Sequence, residues 1–156
     1  MTKTYLIRHA DWRYCSDAVT QELSFKGKKQ AVVAAYNLMK IISPGRVNIM
    51  TSPVERAALT AKWIGETLAR HNYTVDLQIV DELGESYGNH WNDPEEKMNA
   101  AYSKLRTKIE DSPCVVIAVT HEPTIKELSQ NIESVANCGI VVFERLPEKR
   151  NTGVSL

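Results

Sequence analysis

Val115-Val116-Ile117-Ala118-Val119, followed at once by Thr120-His121-Glu122-Pro123, is the stretch that decides how this chain is read. Five consecutive apolar residues, most of them β-branched, suit a strand covered on both faces. That is the condition of a strand inside a parallel sheet. Ser112-Pro113 precedes the run, and Pro123 opens a helix expected to reach about Ile132.

Working outward, the same alternation of strand and helix recurs. Tyr5-Leu6-Ile7 is a short buried strand that ends at Arg8-His9. A helix is expected from Ser24, its N-cap, to Ile42, because Ala31, Ala34, Ala35, Leu38 and Ile42 recur at helical spacing before Ser43-Pro44-Gly45. Val47 to Thr51 forms a second strand. Ser52, Pro53 and Glu55 then read as a capping box opening a helix whose stripe is Val54, Ala57, Ala58, Ala61, Ile64 and Leu68. Leu77 to Val80 is a third strand, Asp81 to Asp93 is turn-rich, a helix is expected over Pro94 to Ile109, and Ile140 to Phe143 is a closing strand. The tail from Pro147 reads as loose.

This order predicts an α/β fold: a three-layer sandwich with a mostly parallel central sheet flanked by helices. At 156 residues, one domain spanning 1–156 is expected, with its core over about 3–145. The 19 basic residues balance the 19 acidic ones, so no basic field is available to hold nucleic acid, and an anion must be gripped by a local cluster. Three widely spaced cysteines, Cys15, Cys114 and Cys138, without metal-ligand spacing, suit reduced thiols in a cytoplasmic protein. No stretch approaches the ~20 apolar residues of a membrane span, and the N-terminal apolar run is too short for a signal peptide. Neither membrane, metal nor cofactor is expected.

In open parallel sheets, ligands bind beyond the carboxyl ends of the strands. Arg8 and His9 follow the first strand, Ser52 to Arg56 the second, Glu82 and Glu85 the third, and Thr120-His121-Glu122 the fourth. Arginine forks suit phosphate or carboxylate oxygens, a neutral imidazole can attack phosphorus, and a carboxylic acid can protonate a departing oxygen. Each residue has a plainer reading: Arg56 lies off the apolar stripe and suits a solvated helix arginine, and His121 suits a satisfied core histidine. His71 and His90 have no comparable company. Together the residues point to an anion site with groups capable of catalysis.

These residues also carry a family pattern. Arg8-His9-Ala10, Leu23-Ser24-Phe25-Lys26-Gly27-Lys28-Lys29-Gln30-Ala31, Ser52-Pro53-Val54-Glu55-Arg56-Ala57-Ala58-Leu59-Thr60-Ala61, Leu83-Gly84-Glu85 with Gly88 and Trp91, and Val119-Thr120-His121 stand in order. The chain resembles the histidine phosphatase superfamily, the phosphoglycerate-mutase-like proteins. The resemblance implies that His9 takes the phosphoryl group, that Arg8, Arg56 and His121 surround it, and that Glu85 is the proton donor, with Glu82 as runner-up. It implies a small phosphorylated substrate or a phosphoprotein as partner.

Three departures stand out. Ala10 replaces the family's glycine, Glu122-Pro123 stands where many members have two glycines, and Cys15 occupies the place of a mutase asparagine. A carboxylate at 122 repels phosphate unless it turns away. The expected activity is hydrolysis of phosphate monoesters or phosphohistidine without a metal. A phosphoglycerate-type mutase and an inactive phosphate-binding module are the alternatives. Trp12, Arg13, Tyr87 and Trp91 are candidate rim residues for the leaving group.

Overall fold

A computed structural model of the chain describes residues 3–84, 94–129 and 133–143. Strands β1 (Thr4–Arg8), β4 (Arg46–Thr51), β5 (Thr74–Ile79), β6 (Val115–Thr120) and β7 (Ile140–Phe143) form one sheet in the order β5-β4-β6-β1-β7. All its pairings are parallel except β1 with β7. The helices are α1 (Phe25–Met39), α2 (Glu55–Ala69), α3 (Pro94–Glu110) and α4 (Glu122–Ser129). The mostly parallel three-layer arrangement is the one expected from the sequence.

Alternation along the central strands makes the layers. Tyr5, Ile7, Val47, Ile49, Ile117 and Val119 face Ala31, Leu38, Ala61, Ile64 and Leu68, so α1 and α2 cover one side. Leu6, Met50, Val116 and Ala118 pack with Leu105, Ile109, Ile125 and Leu128 of α3 and α4 on the other. Both faces of β1, β4 and β6 are therefore apolar, as the uninterrupted run at 115–119 requires.

Several boundaries differ from the sequence reading. Ser24 caps α1 as expected, its Oγ accepting from Gly27 N at 3.0 Å, but the helix ends at Met39 rather than Ile42. Strand β5 begins at Thr74, earlier than Leu77, because all six of its residues pair with β4. A two-stranded hairpin, β2 (Trp12–Tyr14) with β3 (Gln21–Leu23), was not foreseen: its strands are three residues each and carry no clear alternation.

The capping box also fails. Helix α2 starts at Glu55 behind Val54, and no side chain of residue 54 caps it. Ser52 Oγ accepts from Val54 N at 3.2 Å and is otherwise engaged with His121. The hydroxyl is drawn away by the neighbouring strand end.

The three inner strands end nearly level. Arg8 lies opposite Thr120, and Thr51 opposite Val119. One more rung continues beyond each pair: His9 N donates to Thr120 O at 2.9 Å, and Ser52 N donates to Val119 O at 3.0 Å. Backbone pairing thus delivers residues 9, 52 and 121 side by side.

Candidate active site

His9 is 7% exposed and His121 is 1% exposed, and their rings meet edge to face with centroids 5.3 Å apart. His9 Nδ1 lies 3.0 Å from the carbonyl oxygen of Ala10. A carbonyl only accepts, so Nδ1 carries the hydrogen and the neutral ring keeps its lone pair on Nε2. Arg56 Nε–H donates to that same Nε2 at 3.4 Å, which agrees with the assignment.

Arg56 is 9% exposed, so the solvated reading of its helix position is wrong. Position 56 falls on the first turn of α2, and the helix reaches the loop after β1 through Arg56 to His9 and Thr60 to Ala10. Burying it there places a guanidinium against His9 and adds the positive end of the helix. Thr60, one turn on and fully buried, accepts from Ala10 N at 2.9 Å and donates to Arg56 O at 2.7 Å. That hydroxyl ties the loop after β1 to α2.

Ser52 Oγ and His121 Nε2 are 2.9 Å apart. The sequence reading missed this contact, yet a positional signal existed. A hydroxyl one residue past a central strand stands beside the residue that ends its neighbour. Gln21 gave no such signal, because its role depends on how the hairpin approaches the sheet edge. Thr60 stands in the 52–61 segment that carries the resemblance, but its tie to Ala10 depends on how α2 approaches the sheet edge and had no positional signal.

Arg8 is held by its Nη1, which donates to Val135 O at 2.7 Å and to Glu122 Oε2 at 3.0 Å. Glu122 also meets Lys126 Nζ at 3.1 Å and accepts from Val135 N at 3.3 Å. The hydrogen bond from Lys126, with the charges of Lys126 and Arg8, keeps its carboxyl below the ordinary range against the opposing effect of desolvation. Glu122 therefore turns onto Arg8 and Lys126. Arg8 Nε is buried and, among the described residues, makes no hydrogen bond. An oxyanion oxygen is the natural partner for such a donor.

Glu82 lies 8% exposed in a short 3-10 turn over Asp81–Leu83, and its Oε2 meets Lys108 Nζ of α3 at 2.9 Å. Desolvation pushes its carboxyl up, but the hydrogen bond from Lys108 and the nearby lysine charges prevail and hold it below the usual range. Glu85, Tyr87 and Trp91 lie outside the described residues. Arg13 does not join the site: its Nε pairs at 2.8 Å with Glu22 across the exposed hairpin. Trp12 does join it, with Arg56 Cζ 4.8 Å from its ring centroid.

Among the described residues, no group of three or more His, Cys, Asp or Glu side chains is placed to hold a metal ion, and no helix is long and apolar enough to cross a membrane. Cys15, Cys114 and Cys138 are free thiols, and burial pushes the Cys138 thiol up to about 12.

The family model of the histidine phosphatase superfamily (branch 1) matches residues 4–138. No curated protein matches the chain in sequence. Solved structures do match in fold. One is a protein of Agrobacterium tumefaciens assigned as the phosphohistidine phosphatase SixA, 17% identical over 94% of this chain and 96% of that one, with a TM-score of 0.63. Another is a mycobacterial glucosyl-3-phosphoglycerate phosphatase complexed with VO3, 20% identical, covering 91% and 90% of the two chains, TM-score 0.63. A third is the protein histidine phosphatase SixA complexed with tungstate, 17% identical, 90% and 86% covered, TM-score 0.64. At these identities the likeness establishes the fold.

Proposed function

The chain belongs to the histidine phosphatase superfamily, branch 1, and from that premise we propose that it hydrolyses phosphate monoesters or phosphohistidine through a phosphohistidine on His9, without a metal. The observation that carries this reading is the orientation of the His9 ring. Its Nδ1–H is tied to Ala10 O, and its Nε2 lone pair faces the Arg56 guanidinium where a phosphoryl group would be held.

In the first step Nε2 of His9 bonds to phosphorus as the ester P–O bond breaks. The leaving oxygen takes its proton from Glu85. Water then attacks phosphorus, the P–N bond breaks, Glu85 accepts the water's proton, and inorganic phosphate leaves. Arg8, Arg56 and His121 offset the charge on the equatorial oxygens. The unsatisfied Arg8 Nε supports a place for one of those oxygens. Glu82 suits the acid role poorly, since Lys108 keeps it ionised.

Two fold neighbours bear names that include phosphohistidine or protein histidine phosphatase, which supports testing phosphohistidine proteins beside small phosphomonoesters. The test is a substrate panel of sugar phosphates, nucleotides, phosphohistidine and phosphotyrosine peptides, with EDTA present. Hydrolysis in EDTA is expected for at least one class. Glu85→Gln should slow alkyl esters more than aryl esters, whose leaving groups need less protonation. Equal slowing of both would contradict the role given to Glu85, and activity that vanished in EDTA would contradict the metal-free reaction.

A further inference from the structure

We infer that the β2–β3 hairpin is a clamp that sets the Arg56 guanidinium before phosphate arrives, with Trp12 and Gln21 as its positioning residues. The substrate in this inference rests on the phosphatase reading; the geometry does not.

Three contacts converge on Arg56 from the hairpin. The Trp12 ring lies 4.8 Å from Arg56 Cζ. Gln21 Oε1 accepts from Arg56 N at 3.1 Å and from Arg56 Nη1 at 3.4 Å. A single amide oxygen thus caps the first turn of α2 and holds the side chain that leaves it. The capping is needed because Ser52, the natural candidate, is engaged with His121, and Val54 offers no side-chain cap.

The hairpin can act as a clamp because its base is fixed. Asp11 N donates to Gln30 Oε1 at 2.8 Å, Ser24 N donates to Asp11 O at 3.1 Å, and Ser24 Oγ donates to Asp11 Oδ2 at 2.5 Å. Trp12 pairs with Leu23 and Tyr14 with Gln21, with the Arg13–Glu22 rung between them, so the ring and the amide stand two rungs apart on one face of the hairpin. Tyr14 then meets the Trp12 ring edge to face at 5.0 Å. An arginine has many rotamers, and ordering it beforehand removes a cost otherwise met on binding. The stacked ring also adds cation–π attraction.

The test measures binding of orthovanadate and inorganic phosphate by calorimetry, and turnover of p-nitrophenyl phosphate. It compares wild type, Trp12→Leu, Trp12→Phe and Gln21→Ala, each also in an Arg56→Met background. Trp12→Leu and Gln21→Ala should weaken oxyanion binding about fivefold or more and raise KM more than they lower kcat. Trp12→Phe should retain most of the affinity. In the Arg56→Met background neither Trp12→Leu nor Gln21→Ala should cost anything further.

Equal losses in both backgrounds, or no loss in the wild-type background, would overturn the clamp. Should Trp12→Leu fail to fold by circular dichroism, Gln21→Ala and Trp12→Phe decide the matter by the same criteria. A wild-type protein that binds vanadate but hydrolyses neither phosphomonoesters nor phosphohistidine would overturn the hydrolytic reading alone. One that binds no oxyanion would overturn both.

Discussion

Glu122 Oε2 lies 3.0 Å from Arg8 Nη1, so a carboxylate rests on one of the arginines proposed to hold phosphate. It is ionised at neutral pH, because Lys126 and Arg8 favour its charged form. Its charge opposes a dianionic substrate across the guanidinium it holds. Glu122→Gln keeps an acceptor for Arg8 and removes the charge. The Ki of inorganic phosphate should then fall about threefold, and the change should shrink as salt is added. A rise in Ki would mean that holding Arg8 matters more than the charge.

Ser52 and His121 form the second contact between strand ends, at 2.9 Å. Ser52→Ala leaves a fully buried imidazole nitrogen without its hydroxyl. We expect kcat/KM for a phosphomonoester to drop about 3- to 10-fold, the equivalent of one ordinary hydrogen bond. Unchanged kinetics would show that the serine only shapes the turn before Pro53.

The order legible in the sequence was that of strands and strand ends. The run at 115–119 implied a doubly covered strand, and pairing of its neighbours brought His9, Ser52 and His121 level. Side chains that act across elements were not legible. Ser52 looked like a helix cap because local pattern favours that use, and only the adjacency of β4 and β6 shows that His121 competes for it. Arg56 looked solvated because its exposure was judged against its own helix, whereas the approach of the hairpin and β1 buries it. Glu122 was legible only as a charge beside the strand end, because the loop carrying Val135 and the helical turn carrying Lys126, which hold it on Arg8, are set by packing.

Gly27 illustrates a motif whose reason lies in packing. A Cβ at that position would stand 1.9 Å from the backbone oxygen of Asp11. Gly27→Ala must therefore push α1 away from the loop that carries Asp11 and Trp12. We expect a loss of about 3 kcal/mol in denaturant unfolding. A loss under about 0.5 kcal/mol would show that the approach is looser than the structure has it.

Glu82 and Lys108 give a pH signature. Desolvation raises the Glu82 carboxyl, but the Lys108 hydrogen bond, a backbone hydrogen bond and the charges of Lys108 and Lys104 together outweigh it, so the folded value sits below the unfolded one. A depressed carboxyl contributes stability that is present above its unfolded value and lost as pH falls through the folded value. Lys108→Met leaves the carboxylate buried without its partner. Because Lys108 is half exposed, a loss of only about 1–2 kcal/mol is expected at pH 7, shrinking as the pH approaches 4. A loss that stayed constant across that range would remove the ion pair as its cause.

The central claim is that phosphate passes through the nitrogen of His9. Rapid quenching of the enzyme with a labelled phosphomonoester it hydrolyses, in the presence of EDTA, addresses it directly. Wild-type protein should accumulate a phosphoenzyme that is acid-labile and base-stable, and His9→Ala should accumulate none and turn over substrate at least a thousandfold more slowly, on the order seen when a catalytic nucleophile is removed. A His9→Ala protein that hydrolysed substrate at the wild-type rate would contradict the claim outright.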